Sequence, residues 1–147
     1  MVLANSNIAD VAGIQTLRVE TAAQMHGALK DNMHDCDVLI MAAAVSDARP
    51  TSVAQEKIKK ADLQSIDLVS NLDILKDLSA DAKDSQIIVG FAAETTDLEN
   101  LGLAKLKTKK LNLIYVNDVS NGAVFASDQS AGFLISDDSQ STYIEQT

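Results

Sequence analysis

Tryptophan is absent from this 147-residue chain, cysteine and proline occur once each, and aromatic residues make up only 3%. Each scarcity excludes something. The lone Cys36 rules out an intrachain disulfide, and with only two histidines the chain argues against a Cys/His zinc site. The six glycines are scattered. Neither G-x-G-x-x-G nor the P-loop pattern occurs, so neither of these phosphate-cradling glycine loops is present. Basic residues are also short: 12 Lys and Arg against 21 Asp and Glu leave a formal net charge of −9. That balance argues against a nucleic-acid binder held through phosphate contacts. No apolar run approaches membrane-spanning length and nothing resembles a signal peptide. We therefore expect no nucleic-acid partner, no membrane partner and a cytoplasmic location. What is present is 46% hydrophobic residues, enough for the core of one ordinary domain. No repeat or linker divides residues 1–147.

The organising stretch is Cys36 to Pro50, CDVLIMAAAVSDARP. Val38 to Met41 is apolar without polar alternation, which predicts a strand buried on both faces, as in a parallel sheet. Small residues follow at Ala42, Ala43 and Ala44, then the chain turns polar at Ser46, Asp47 and Arg49. In open α/β sheets ligands bind just past the carboxyl ends of strands. A carboxylate there, Asp47, can accept hydrogen bonds from sugar hydroxyls or hold a metal ion; it can equally cap a helix or turn.

Ahead of this stretch, Met1-Val2-Leu3 reads as the end of a strand, and Ile14 to Val19 alternates as a half-buried strand does. Thr21 and Gln24 form a capping-box pair. Behind them Met25, Leu29 and Met33 make the apolar stripe of a helix, with His26 and His34 flanking it as exposed structural residues. Residues 46–64 show no period and hold Glu56-Lys57-Ile58-Lys59-Lys60; a charged loop of this length is either simply solvated or a mobile flap over phosphates. Ile66 to Val69 is a strand, and Asn71 can cap a helix Leu72 to Leu78. Gln86 to Ala93, QIIVGFAA, repeats the central pattern with a polar exit at Glu94-Thr95. Phe91 near its end is either core or a stacking surface for a base. Asp97 opens a helix to about Lys110, with Leu98, Leu101 and Ala104 inward. Lys105 and Lys109 share one face, where they also suit the helix dipole. Leu111 to Val116 is a strand ending at Asn117-Asp118, Val124-Phe125 and Gly132 to Ile135 form an antiparallel hairpin, and Asp137 to Thr147 is a polar, frayed tail. Strands alternating with helices predict an α/β, Rossmann-like, mostly parallel sheet with flanking helices and a C-terminal antiparallel hairpin.

No nucleophile–His–acid arrangement and no metal-ligand spacing is visible. What remains is a set of lysines, one acid and one aromatic near strand ends. That set suits an anionic nucleotide, where rate comes from orientation and charge neutralisation.

The segments MAAAVSDARP (41–50), EKIKK (56–60), NLDIL (71–75), GFAAET (90–95), AKLKTKKLNLIYVNDVS (104–120) and VFASD (124–128) are more specific. In order and spacing they resemble the phosphopantothenoylcysteine synthetase family, the CTP-dependent phosphopantothenate–cysteine ligases of bacterial coenzyme A synthesis. These are often fused to a flavin-dependent decarboxylase. The resemblance covers residues 14 to 136. It implies that Met41, Ala42 and Ala43 line a nucleotide site, that Asp47 holds the ribose hydroxyls, and that Lys57 meets the triphosphate as the catalytic lysine. It further implies that Leu72, Asp73, Ile74, Leu75 and Phe91 surround the cytidine while Lys105 and Lys109 complete the pocket. Asn117 and Asp118 match a family motif without an assigned role. The substrates implied are CTP, 4′-phosphopantothenate and cysteine, with Mg²⁺ riding on the phosphates, and the assembly implied is a homodimer. Two departures are Leu72, where the family usually has proline, and Ala48, where an aromatic is common. The family's domain begins with a further strand and glycine-rich turn, so the first βα unit is expected to be missing from these residues. A dinucleotide-dependent oxidoreductase fits the fold but lacks the glycine fingerprint, and a non-catalytic nucleotide-binding or assembly fragment is the other alternative.

Overall fold

The structure, a computed structural model, describes residues 1–59, 65–120 and 130–145. Val124-Phe125, the VFASD segment and Lys60 lie outside the described residues. Two short strands come first, β1 (Val2–Ala4) and β2 (Leu17–Val19), paired in parallel. Only the last three residues of the expected Ile14–Val19 strand pair. Their connection is held by Arg18, which donates to Ser6 O (3.1 Å) and Ile8 O (2.7 Å) and pairs with Asp10 (2.6 Å). Parallel strands require such a long crossover.

Helix α1 (Ala22–Asn32) begins at the expected capping box: Thr21 Oγ1 accepts from Gln24 N while Gln24 Oε1 accepts from Thr21 N. Met25 is buried from this helix, and Leu29 and Met33 pack against the same core. A single 3-10 turn, Met33–Asp35, leads into β3 (Val38–Met41).

The main sheet has five strands in the order β3, β6 (Ile87–Glu94), β7 (Leu113–Asp118), β8 (Gly132–Ser136) and β9 (Ser141–Ile144). The first three run parallel, and β8 and β9 return antiparallel. This is the expected Rossmann-like arrangement, with one correction at its edge. The tail expected to fray supplies β9, whose Tyr143 stacks edge-on against Phe133 at 5.1 Å. The loop expected over 46–64 also conceals a strand, β4 (Ala48–Pro50). It pairs antiparallel with β5 (Leu68–Ser70) in a small separate sheet, and Ile66 stays outside it.

Helices α2 (Ile74–Ala80) and α3 (Leu98–Thr108) fill the crossovers on either side of β6 and pack on one face of the sheet. Their fit depends on two glycines. A Cβ at Gly90 would meet Leu111 Cδ1 at 2.7 Å and Leu75 Cδ2 at 3.0 Å; one at Gly102 would meet Val116 Cγ2 at 2.5 Å and Ile135 Cδ1 at 2.7 Å. Gly102 therefore lets α3 lie close against β7 and β8. For that reason α3 turns Gly102 and Leu106 inward, and Leu101 and Ala104, expected inward, are exposed.

Burial of the central strand also differs from expectation. Leu39 is buried under the helices, but Val38 and Ile40 are exposed, as are Ile87 and Phe91 on β6. Successive side chains point to opposite faces, and the described helices that pack on this sheet lie on one of them. At the amino ends of the strands, buried Gln86 ties the frame together. Its Nε2 donates to Met33 O (2.6 Å) and Cys36 O (2.7 Å), and its Oε1 accepts from Lys83 N (2.8 Å).

Candidate functional site

The carboxyl ends of β3 and β6 lie on the side of the sheet where α2 starts, and the side chains of Lys105 and Lys109 reach from α3 to Glu94 and Asp73. After Met41 the chain leaves the sheet through the exposed residues Ala42, Ala43 and Ala44, as the small side chains there suggest. Met41 pairs with Gly90, the last pairing of β3, so Phe91 stands at the step where the shorter strand stops.

Asp47 follows on an exposed turn whose backbone is fixed from the neighbouring segment. Asn71 N donates to Asp47 O (2.8 Å), and Asn71 Nδ2 donates to Ser46 O (2.7 Å). Asn71 Oδ1 accepts from Arg49 Nη1 (2.9 Å). With its side chain spent on these bonds, Asn71 does not cap the next helix. Asp73 does, accepting from Lys76 N at 3.1 Å. The helix consequently begins at Ile74 rather than Leu72. The side chains of Ile74 and Leu75 go into the core, leaving exposed Leu72 and Asp73 as the side chains that face outward. The Asp47 carboxylate remains exposed to solvent above this turn.

Lys109, the residue just past α3, reaches across to Asp73: Nζ lies 3.0 Å from Oδ2 and 3.2 Å from Oδ1. Burial pushes the Asp73 carboxyl up, but the Lys109 hydrogen bond, the Lys76 backbone bond and the two ammonium charges outweigh it and hold the group below its usual range. One turn earlier on α3, Lys105 pairs with Glu94, the last residue of β6. The Lys109–Asp73 and Lys105–Glu94 pairs thus tie α3 to the start of α2 and to the end of β6, and the Asp47 turn is joined to Asn71, two residues ahead of Asp73. Phe91 is not on their side. It has the opposite parity from Glu94 on β6 and stacks edge-on with Tyr115 at 5.9 Å on the face away from α3. Lys57 sits on the exposed 51–59 stretch. Asp118, the cross-strand neighbour of Glu94, accepts from Ser120 N at 2.9 Å, which with the Ser120 side chain lowers its carboxyl.

A cleft of about 520 Å³ opens between the start of α1 and the β4–β5 pair, lined by Ala22, His26, Arg49, Asn71, Leu72 and Ile74 among others. His26, expected to be exposed, is half-buried with Nε2 2.8 Å from Asp77 Oδ2, which links α1 to α2. His34 is exposed as expected. Sequence reasoning assigned no role to Glu94 or to the Asn71 side-chain network. The one signal for Glu94 was its place as the first polar residue after a buried strand.

Among the described residues no group of three His, Cys, Asp or Glu is placed to hold a metal ion. A metal accompanying an anionic ligand would be carried mainly by the ligand's own oxygens.

The chain is similar over 151 residues to the coenzyme A biosynthesis bifunctional protein CoaBC of Mycolicibacterium smegmatis, at 38% identity covering 95% of this chain and 36% of that protein. The CoaBC protein of Vibrio vulnificus is 39% identical over 122 residues, covering 80% of this chain and 30% of the relative. The chain thus spans about a third of the length of these relatives. A crystal structure of the C-terminal domain of a CoaBC protein superposes with a TM-score of 0.78 at 30% identity, covering 98% of this chain and 63% of that one. Residues 1–147 also match, end to end, the DNA/pantothenate metabolism flavoprotein C-terminal domain, and the chain belongs to that family.

Proposed function

We propose that these residues form the nucleotide-binding core of a phosphopantothenate–cysteine ligase of coenzyme A synthesis, with CTP as the activating nucleotide. The reading is supported by the Asp73–Lys109 and Glu94–Lys105 pairs and the Asn71–Asp47 turn, in a chain similar to CoaBC proteins. In the first step the carboxylate of 4′-phosphopantothenate attacks the α-phosphorus of CTP, forming an acyl-cytidylate and releasing pyrophosphate. In the second, the amine of cysteine attacks the acyl carbon, CMP leaves, and the amine loses a proton as the amide forms.

On this reading the exposed Asp47 carboxylate accepts the ribose hydroxyls. Met41, Ala42 and Ala43 leave room for the nucleotide, and Phe91 flanks it at the step beside β3. Lys57, on its exposed loop, neutralises triphosphate charge, and Mg²⁺ enters on the phosphates. The protein works as a homodimer in the cytoplasm, in association with a flavin-dependent decarboxylase.

The test is CTP-dependent pyrophosphate release with phosphopantothenate present, alongside calorimetric titration of CTP and ATP. CTP binding in preference to ATP is expected. Equal affinity for ATP and CTP would sink the reading.

A further inference from the structure

Lys105, Lys109 and Arg18 are each held by a carboxylate, from Glu94, Asp73 and Asp10 respectively. Arg49 is held differently. Among the described residues no carboxylate pairs with it, in a chain of 21 acidic residues against 12 basic ones. Its Nη1 donates instead to two uncharged acceptors, Ser70 O (3.2 Å) and Asn71 Oδ1 (2.9 Å). Asn71 is itself locked, because its Nδ2 donates to Ser46 O (2.7 Å) and its N to Asp47 O (2.8 Å). A guanidinium carries five N–H donors, so Nε and Nη2 keep three beyond those that anchor the turn. The side chain is thus positioned while its charge stays uncompensated.

Arg49 lines one wall of the cleft of about 520 Å³ between α1 and the β4–β5 pair. That volume falls among small-molecule sites, which run from about 300 to 1,000 Å³. On the α1 side, Ala22 and Ala23 leave space, and His26 is fixed by Asp77 at 2.8 Å. No Asp or Glu lines the cleft, and the first turn of α1 carries no acidic residue. Leu72 and Ile74 add apolar lining. The cleft therefore combines one fixed cation with small and apolar side chains.

The free edge of a guanidinium, Nε with Nη2, matches two oxygens of one anion at once. A carboxylate has only those two oxygens. A phosphate has a further one to present to the rest of the cleft, and the apolar lining suits the organic part of an ester. We propose that this cleft binds the phosphate group of a small phosphate ester, with Arg49 as its charged contact. The site is distinct from the Lys105 and Lys109 pairs, and it stands on the geometry of the cleft rather than on the ligase reading. Under that reading two molecules carry such a group, the nucleotide and the phosphorylated acid.

The experiment titrates glycerol phosphate, CTP and cytidine into the protein, Arg49→Gln and Arg49→Lys, by calorimetry and by NMR of backbone amides and the arginine Nε–H. Thermal unfolding serves to verify that each variant is folded. Glycerol phosphate is expected to shift the Arg49 Nε–H signal together with the amides of Ala22, Ala23 and His26. Arg49→Gln should weaken it about ten- to a hundredfold, the scale of one charge-assisted contact. Arg49→Lys should recover part of the loss, because an ammonium keeps the charge without the fork. Folded Arg49→Gln protein that binds glycerol phosphate as tightly as wild type would leave Arg49 a purely structural residue and overturn the site. Signals that move elsewhere, or do not move, would overturn it equally. Displacement of glycerol phosphate by CTP, with Arg49→Gln weakening CTP more than cytidine, would identify the nucleotide as the source of the phosphate. Simultaneous binding of CTP and glycerol phosphate would identify a separate phosphorylated molecule. CTP that fails to bind while glycerol phosphate still reads out at Arg49 would sink the ligase reading and leave this site standing.

Discussion

On one face of the central sheet, Ile88, Ile114, Val116 and Ile135 lie at 2% exposure or less beneath the helices, while on the other Val38, Ile40, Ile87 and Phe91 are 46%, 63%, 48% and 47% exposed. Strand β6 supplies members of both sets, Ile88 to one and Ile87 and Phe91 to the other, and the residue types barely differ. Chemistry alone therefore does not decide which side chains are buried; the partner layer does. Among the described residues, crossovers through α2 and α3 bring helices to one face, and the sheet's second set of apolar side chains stays exposed. Burying such a side chain is worth about 1.5–3 kcal/mol. Parallel sheets ordinarily have both faces covered.

The contrast can be broken by removing a side chain from the covered face. Ile114→Ala empties a site with 2% exposure and is expected to cost about 2–5 kcal/mol, read from urea or thermal unfolding. A loss below 1 kcal/mol would mean that this face is less tightly packed than its burial indicates. Lifting the helix layer is the next largest change. Gly102→Val would drive a methyl group into Val116 and Ile135 and should cost about 1–3 kcal/mol, with Ile135 and Val116 gaining exposure to hydrogen exchange nearby.

A smaller effect is expected at the open end of that layer, where Asp73 both caps α2 and holds Lys109. Asp73→Ala should lose about 1 kcal/mol. Its carboxyl is held low in the folded protein, so its electrostatic contribution is fully present above the unfolded value of about 3.9 and is lost as pH falls through the folded one. Asp73→Asn, which keeps a cap, should flatten this part of the acid unfolding profile while changing stability little at neutral pH. The smallest effect belongs to the other face: Ile40→Ala is expected to change stability by no more than about 0.5 kcal/mol. A cost matching that of Ile114→Ala would show that the two faces are equally engaged.

Much of the frame was legible in the residues. The capping box of α1 depends on Thr21 and Gln24, three positions apart, and it forms as read. The strands around Val38–Met41, Ile87–Glu94 and Leu113–Asp118 follow from apolar runs, and the shared face of Lys105 and Lys109 follows from helical spacing. The pairings that complete the site were not legible. Nothing local distinguishes Asn71 from Asp73 as a cap; Asn71 is taken by Arg49 and Ser46, more than twenty residues upstream. The β4–β5 pair and β9 are short strands whose partners, not their own periodicity, make them strands.

By itself, then, the sequence determined the alternation of strands and helices, the parallel core and the small-residue exit at Ala42 to Ala44. All of these depend on patterns within one element, where 2.0 and 3.6 periodicities and capping act over a few residues. Only the tertiary structure decided which face of the sheet would be covered, that Phe91 would stand on the opposite side from Lys105 and Lys109, and that both lysines would be held by carboxylates. Those outcomes depend on strand parity and on the side to which each crossover returns. Both are set by contacts between residues far apart in the chain, which no local pattern records.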